Sequence, residues 1–186
     1  MIRLVGISGS LRQGSFNTAL LNNAAQLLPD GVSLDVRTLH GIPLYNGDEE
    51  AEFGIPASVT ELKDAIQSAN GVILATPEYN NGIPGVFKNA IDWASRPAGD
   101  IGRVFTGRPF AIMGASPGGF GTILSQNHWL PVLRTLGVEL WTGGRLMVSR
   151  AGKTFDDSGT ISEPEMRELV RIYVEGFVNH LTKIAG

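Results

Sequence analysis

The segment after the first apolar run of the chain is rich in groups that can donate hydrogen bonds. This first loop, residues 8–18, reads Ser-Gly-Ser-Leu-Arg-Gln-Gly-Ser-Phe-Asn-Thr. Its hydroxyls, amide and guanidinium, with the free backbone N–H groups at a helix start, are donors suited to a phosphate monoester. The candidate phosphate-binding residues are Ser10, Arg12, Ser15, Asn17 and Thr18. The glycine spacing fits neither a P-loop nor a dinucleotide fingerprint. The alternative is an ordinary Ser/Gly-rich turn in which Ser15 caps the helix.

Two further loops carry unusual residues. The second loop, residues 76–85, contains two prolines that stiffen it, and it offers Pro77, Glu78, Tyr79 and Asn80 to the edge of a flat polar heterocycle. Its alternative is a tight connection with the tyrosine packed on the surface. The third loop, residues 116–121, supplies Ser116, Gly118 and Gly119, and glycines let a ligand approach the backbone closely. Glycines also build plain turns, so this third signal is weak alone.

The elements around these loops follow one pattern, in which short apolar runs alternate with helical periodicity. Strands are predicted over 2–7, 32–36, 71–75, 110–115 and 138–141, the last continuing in 146–148. Five helices are predicted between and after them, and the acidic stretch 48–52 is predicted to be a solvated loop. Strands that are apolar throughout favour a parallel sheet covered on both faces, in one doubly wound α/β domain of residues 1–186. The three loops then meet at the carboxyl edge of the sheet, where such folds bind ligands.

Composition narrows the possible chemistry. The 186 residues include no cysteine, which excludes disulfides, thiolate metal sites and cysteine nucleophiles, so any redox chemistry needs a bound cofactor. A net charge of −3 argues against a nucleic-acid binder. No apolar run approaches the roughly 18 residues of a membrane span, so we expect a soluble cytoplasmic protein without a membrane partner. We find no catalytic triad or metal cluster, and His128 is interpreted as structural.

Two signatures resemble those of the NAD(P)H-dependent FMN reductase family. Gly9-Ser10-Leu11-Arg12 followed by Ser15-x-Asn17 is similar to the family's phosphate loop. Pro77-Glu78-Tyr79-Asn80, followed by Pro84-Gly85 and Lys88-Asn89-Ala90-Ile91-Asp92-Trp93, is similar to its second signature. The resemblance covers most of the chain. It implies a flavodoxin-like five-stranded parallel sheet with strand order 2-1-3-4-5. The family includes quinone, chromate and azo-dye reductases and enzymes that reduce free flavin.

The resemblance also implies a role for each loop. Residues of the first loop would hold the FMN phosphate, those of the second would line the isoalloxazine ring through their backbone, and those of the third would flank the ring or the nicotinamide. NADPH or NADH would deliver hydride to flavin N5 and then yield its place to a small acceptor, in ping-pong fashion and without a catalytic side chain. A homodimer or homotetramer is implied, with Phe87, Trp93 and Trp129 as candidate contacts, and the alternative for these aromatic residues is a place in the core. The alternative is a non-enzymatic flavodoxin-type electron carrier. Such carriers typically dock to their partners through a strongly acidic surface, and a net charge of −3 is small for that purpose.

Overall fold

All strands of the protein lie in one parallel sheet. The computed structural model describes residues 1–185, and within them the strands are β1 (Ile2–Ser8), β2 (Val32–Arg37), β3 (Gly71–Ala75), β4 (Pro109–Ala115), β5 (Glu139–Leu140) and β6 (Leu146–Val148). Their order is β2-β1-β3-β4-β5, and β6 also pairs with β4. The predicted flavodoxin-like α/β fold and strand order are thereby confirmed.

The helices cover both faces of this sheet. The described residues form α1 (Phe16–Gln26), α2 (Gly47–Phe53), α3 (Ala57–Ser68), α4 (Gly85–Ala94), α5 (Ile101–Val104), α6 (Ile123–Leu136), α7 (Ala151–Thr154) and α8 (Pro164–Ala185). The five long helices are the predicted ones. The prediction of a loop at the acidic stretch was wrong, because these residues form α2, whose first turn carries three carboxylates beside the positive end of the helix dipole.

Two hydrophobic clusters, one on each face of the sheet, make up the core. One lies under α1 and α8, and the other lies under α3, α4 and α6. The aromatic side chains of Phe87, Trp93 and Trp129 belong to this interior and are at most 1% exposed. Phe87 and Trp129 pack edge to face with ring centroids 4.9 Å apart. The prediction that these three residues contact a neighbouring subunit was therefore wrong, because their rings are buried in the core of the protein's own chain.

The fifth strand position is interrupted. After β5 the chain leaves the sheet and returns as β6 to the same edge of β4. In the gap the Tyr173 hydroxyl donates a hydrogen bond to the carbonyl of Ile112 (2.7 Å). The Trp141 ring lies so close to Gly143 and Gly144 that a Cβ there would come within 2.6 and 2.7 Å of it. The packing of the Trp141 ring thus requires glycine at both positions.

Across the part of the chain that the structure describes, no helix is both long and apolar enough to cross a bilayer.

Candidate active site

Two long-range side-chain contacts join the three loops at the carboxyl edge of the sheet. The Asn17 side chain, on the first turn of α1, donates to the Ala115 carbonyl and accepts from the Ala115 N–H, both at 2.9 Å. The carboxylate of Glu78 accepts hydrogen bonds from the N–H groups of Leu124 (2.9 Å) and Ser125 (3.0 Å). The first loop is thereby linked to the end of β4, and the second loop to the start of α6.

The first loop presents a helix start with unpaired donors. Ser15 is the N-cap of α1, and its hydroxyl accepts from the Thr18 N–H (3.3 Å), so the capping alternative describes this serine correctly. Within the described residues the N–H groups of Gly14 and Phe16 have no hydrogen-bond partner, and a Cβ at Gly14 would meet open space. Unpaired N–H groups at a helix start carry partial positive charge and attract a phosphate.

Side chains of the first loop are held to different degrees. The Ser10 side chain is buried, and its hydroxyl accepts from the Arg12 N–H (3.3 Å). The Thr18 hydroxyl is paired with that of Ser8 (2.8 Å). Asn17 is 3% exposed, and its bonds to Ala115 leave one amide N–H. Arg12, in contrast, is exposed and forms no side-chain bond within the described residues. The guanidinium of Arg12 is therefore the group most available to a ligand.

The second loop is a two-residue hairpin. Tyr79 and Gly82 exchange backbone hydrogen bonds of 3.2 and 3.0 Å, and between them Asn80 and Asn81 have φ of 50° and 63°. Positive φ at both central positions defines a type I′ turn, which asparagine tolerates. The Tyr79 N–H and the Glu78 carboxylate are occupied by protein groups. The groups left for a ligand are the exposed Asn80 and the Tyr79 ring, which is 47% exposed.

The third loop is largely exposed and leaves open space beside two of its glycines. The Ser116 hydroxyl donates to the Gly121 carbonyl, which folds the loop back on itself. A Cβ at Gly119 would meet no atom within 4 Å, and one at Gly118 would meet only the Ser116 hydroxyl at 3.8 Å. Gly121 is different, because its φ is 63° and a Cβ there would lie 3.0 Å from Met147. Gly121 is required by the turn, whereas the other two glycines leave room for a flat ligand.

Three residues near these loops were not predicted to belong to the site. The His40 ring bonds the Leu11 carbonyl of the first loop (3.1 Å). His128 is exposed, and its Nδ1 lies 3.8 Å from where a Cβ of Gly82 would stand. Arg150 donates its N–H to the Gly118 carbonyl (2.9 Å). No local motif marks these residues, because each reaches the site only through the packing of distant segments.

A carboxyl with a lowered pKa lies away from the three loops. Hydrogen bonds from Arg103 and from the buried Lys63 lower the pKa of the Asp100 carboxyl well below its usual value. Lys63 also donates to the Arg96 carbonyl, so this cluster ties α3 to the segment after α4. Its role is structural.

Comparison with known proteins agrees with this geometry. Residues 2–153 match the model of a family described as NADPH-dependent FMN reductase, a range that includes all three loops. The chain belongs to this family.

An NAD(P)H-dependent FMN reductase of Pseudomonas aeruginosa is 41% identical over all of this chain and 98% of its own length. A 2-hydroxy-1,4-benzoquinone reductase from a Burkholderia species is 35% identical over 95% of this chain and 94% of its own. Among solved structures, the flavoenzyme NAD(P)H:(acceptor) oxidoreductase of Paracoccus denitrificans superposes with a TM-score of 0.87 at 30% identity, covering 98% of each chain.

Membership in the FMN reductase family makes the chain an oxidoreductase that uses FMN with NAD(P)H. The resemblance inferred from the two sequence signatures is confirmed, and the alternative of a non-enzymatic carrier is set aside. The residues present fit FMN, because the first loop has unpaired N–H donors and a free guanidinium for a phosphate, and the third loop has room for a flat ring.

Proposed function

We propose that this FMN reductase family member holds FMN across its three loops and reduces a small acceptor, namely a quinone, free flavin, chromate or an azo compound. The observation that carries the proposal is the helix start at the first loop, with its unpaired N–H groups and the free Arg12 guanidinium. The names of relatives support quinones in particular, since one is a benzoquinone reductase.

Each loop has a separate task in this proposal. The N–H groups at the start of α1, with Ser10 and Arg12, bind the phosphate, and Ser15 and Thr18 keep that helix start in shape. The hairpin of the second loop presents Tyr79 and Asn80 to the ring edge. The bonds of Glu78 to α6 fix the hairpin relative to the third loop. When bound, FMN supplies the two-electron chemistry between nicotinamide and acceptor.

We infer that donor and acceptor use one binding place in turn. The open space beside Gly118 and Gly119 is the room that a flat ligand needs next to the ring. A nicotinamide that occupies this space excludes the acceptor until it leaves. Exclusive occupancy of this kind gives ping-pong kinetics.

The test combines transient and steady-state kinetics. Anaerobic stopped-flow mixing of the FMN-loaded protein with NADPH or NADH should bleach the flavin absorbance fully before any acceptor is present. Steady-state rates with benzoquinone, free FMN, chromate and an azo dye, each at several donor concentrations, should give parallel double-reciprocal lines. Absence of bleaching contradicts the reductase assignment. Intersecting lines would show that donor and acceptor are bound at the same time, and the hypothesis of one shared binding place would then be wrong.

A homodimer or homotetramer is also proposed, on the family resemblance. Since Phe87, Trp93 and Trp129 are buried, the subunit contact must use other residues. Sedimentation equilibrium at micromolar concentration should give two or four times the chain mass of 19.9 kDa. A single species at the chain mass would refute the assembly.

A further inference from the structure

Arg150 differs from other charged residues in its backbone conformation. Within residues 1–185 only three non-glycine residues have positive φ, namely Asn80, Asn81 and Arg150. All three lie at the carboxyl edge of the sheet. The two asparagines form the hairpin of the second loop, a place that tolerates them. Arg150, at φ 49° and ψ 41°, has no such local reason to be left-handed.

Backbone hydrogen bonds to the third loop keep Arg150 in this conformation. Its N–H donates to the Gly118 carbonyl (2.9 Å), and the next N–H, of Ala151, donates to the Ser116 carbonyl (3.0 Å). The Arg150 carbonyl in turn accepts from the Lys153 N–H (2.8 Å). An unfavourable conformation that is fixed so fully by its neighbours is typical of functional sites.

The same segment also packs against the first loop. Phe16, the first residue of α1, stacks on Phe155 with ring centroids 5.7 Å apart. A Cβ at Gly152 would lie 3.8 Å from the Phe16 ring. Arg150 therefore borders the third loop directly and lies two residues from Gly152, which faces the Phe16 ring of the first loop.

The guanidinium of Arg150 is available for a ligand. The residue is exposed, and in the described part of the chain no carboxylate lies within 4.0 Å of it. A phosphate monoester carries between one and two negative charges near pH 7. Arg12 supplies one positive charge at the first loop, and a second cation at the same junction adds to the attraction for a dianion. A guanidinium suits this task, because its planar fork can bond two phosphate oxygens together.

We propose that Arg150 binds a phosphate monoester at the junction of the first and third loops. The inference rests on the proposed function, in which two nucleotides meet at this edge. The monoester is either the 5′-phosphate of FMN or the 2′-phosphate of NADPH. Both sources share the same chemistry, and ligands that differ only in that phosphate separate them.

The experiment compares ligand pairs that differ by one phosphate monoester. Flavin-free protein is titrated with FMN and riboflavin, and FMN-loaded protein with NADP⁺ and NAD⁺. The variants are Arg150→Gly, which fits the left-handed backbone, and Arg150→Gln, which retains a long side chain. Arg145→Gln is the matched control, because Arg145 is exposed, has no ion pair in the described residues and lies outside the three loops. Thermal unfolding should place Arg150→Gly at or above the wild-type midpoint, since the strain is relieved.

The expected result is that both Arg150 variants weaken one phosphate-bearing ligand by about tenfold or more, while its phosphate-free partner changes less than about twofold. Loss confined to FMN assigns the 5′-phosphate, and loss confined to NADP⁺ assigns the 2′-phosphate. The Arg145→Gln variant should bind all four ligands as the wild type does. Equal losses for both members of a pair, or no loss in either pair, would overturn the proposal. Failure of wild-type protein to bind FMN would instead refute the proposed function.

Discussion

The side chain of Asn17 forms both a donor and an acceptor hydrogen bond with the backbone of Ala115, 98 residues away in sequence. The pair fixes the first turn of α1 against the carboxyl end of β4. Its role as a phosphate ligand is accordingly limited to the one amide N–H that the bonds to Ala115 leave. We regard Asn17 chiefly as the residue that holds the first and third loops in register.

Replacing Asn17 by Ala should lower both stability and FMN affinity. The change leaves the buried N–H and carbonyl of Ala115 without partners, which costs about 2–3 kcal/mol in the free energy of unfolding. Urea unfolding and FMN titration measure the two effects. Asn23→Ala is the control, because Asn23 is equally buried and bridges α1 to the backbone of Gly159 and Ile161, away from the three loops. The control variant should lose stability but not FMN affinity. An equal loss of FMN affinity in both variants would contradict a specific role of Asn17 in holding the ligand-binding loops.

Replacing Arg12 by Ala should weaken FMN but not riboflavin. A hydrogen bond to a charged group contributes about 1.5–3 kcal/mol, which corresponds to roughly a 10- to 150-fold change in the dissociation constant. Fluorescence titration of flavin-free protein gives both constants. Arg134→Ala removes the same charge from an exposed position near the far end of α6 and should change neither constant. Equal losses for FMN and riboflavin would remove Arg12 from the phosphate site.

The hairpin of the second loop should tolerate glycine at Asn80 but not alanine. The φ of 50° is free of steric cost for glycine, whereas a Cβ in the left-handed region costs about 1–2 kcal/mol. Asn80→Ala should therefore unfold at lower urea concentration than Asn80→Gly. Both variants lack the amide. A difference between their reduction rates with NADPH therefore reports turn geometry, whereas an equal loss in both relative to the wild type reports a contact of the Asn80 side chain. Identical unfolding midpoints would argue against the type I′ turn.

Replacing Glu78 by Ala should destabilise the start of α6. The carboxylate accepts from two N–H groups of the first turn, and a cap of this kind contributes about 1 kcal/mol. We expect slower reduction by NADPH in addition, because the hairpin loses its link to α6. Glu78→Gln retains an acceptor oxygen and should lose less. Glu61→Ala, at an exposed position of α3, is the control for loss of a carboxylate. A full effect in Glu78→Gln would mean that charge, and not the hydrogen bonds, matters.

The Lys63–Asp100 pair should make stability sensitive to acid. Hydrogen bonds from Arg103 and Lys63 lower the pKa of the Asp100 carboxyl in the folded state, whereas in the unfolded chain it titrates near 4. The stabilisation is therefore complete above that pH and is lost as the pH falls below it. Asp100→Asn should cost on the order of 3 kcal/mol at pH 7, since Lys63 is 2% exposed and loses its charged partner.

Unfolding free energies measured from pH 7 down to pH 3 test this prediction. The difference between wild type and Asp100→Asn should shrink as the pH falls below about 4. Asp35→Asn, in an exposed pair with Arg37, should show a much smaller effect. A difference that is independent of pH would refute the assignment to this carboxyl.

Local sequence was sufficient for the strands, the five long helices and the three loops. A five-residue apolar run such as 71–75 is too short for a typical helix and favours a buried strand, and the residues at the ends of such strands then share one edge of the sheet. Ser15 as N-cap and Gly137 as the left-handed C-cap of α6 were likewise predictable, because a helix end needs partners within a few residues.

Tertiary structure alone decided how the polar groups are used. The Asn17 side chain, which was expected at the phosphate, is largely occupied by its bonds to Ala115. Glu78 was expected to act through its backbone, and its side chain bonds the start of α6 some 46 residues away. Periodicity shows that a helix face is apolar, but not whether core or subunit covers it, which is why Phe87 and Trp129 were assigned wrongly. The physical reason is the sequence distance over which each interaction acts. Periodicity and capping involve residues a few positions apart, whereas these partners meet only when the strands have assembled into the sheet.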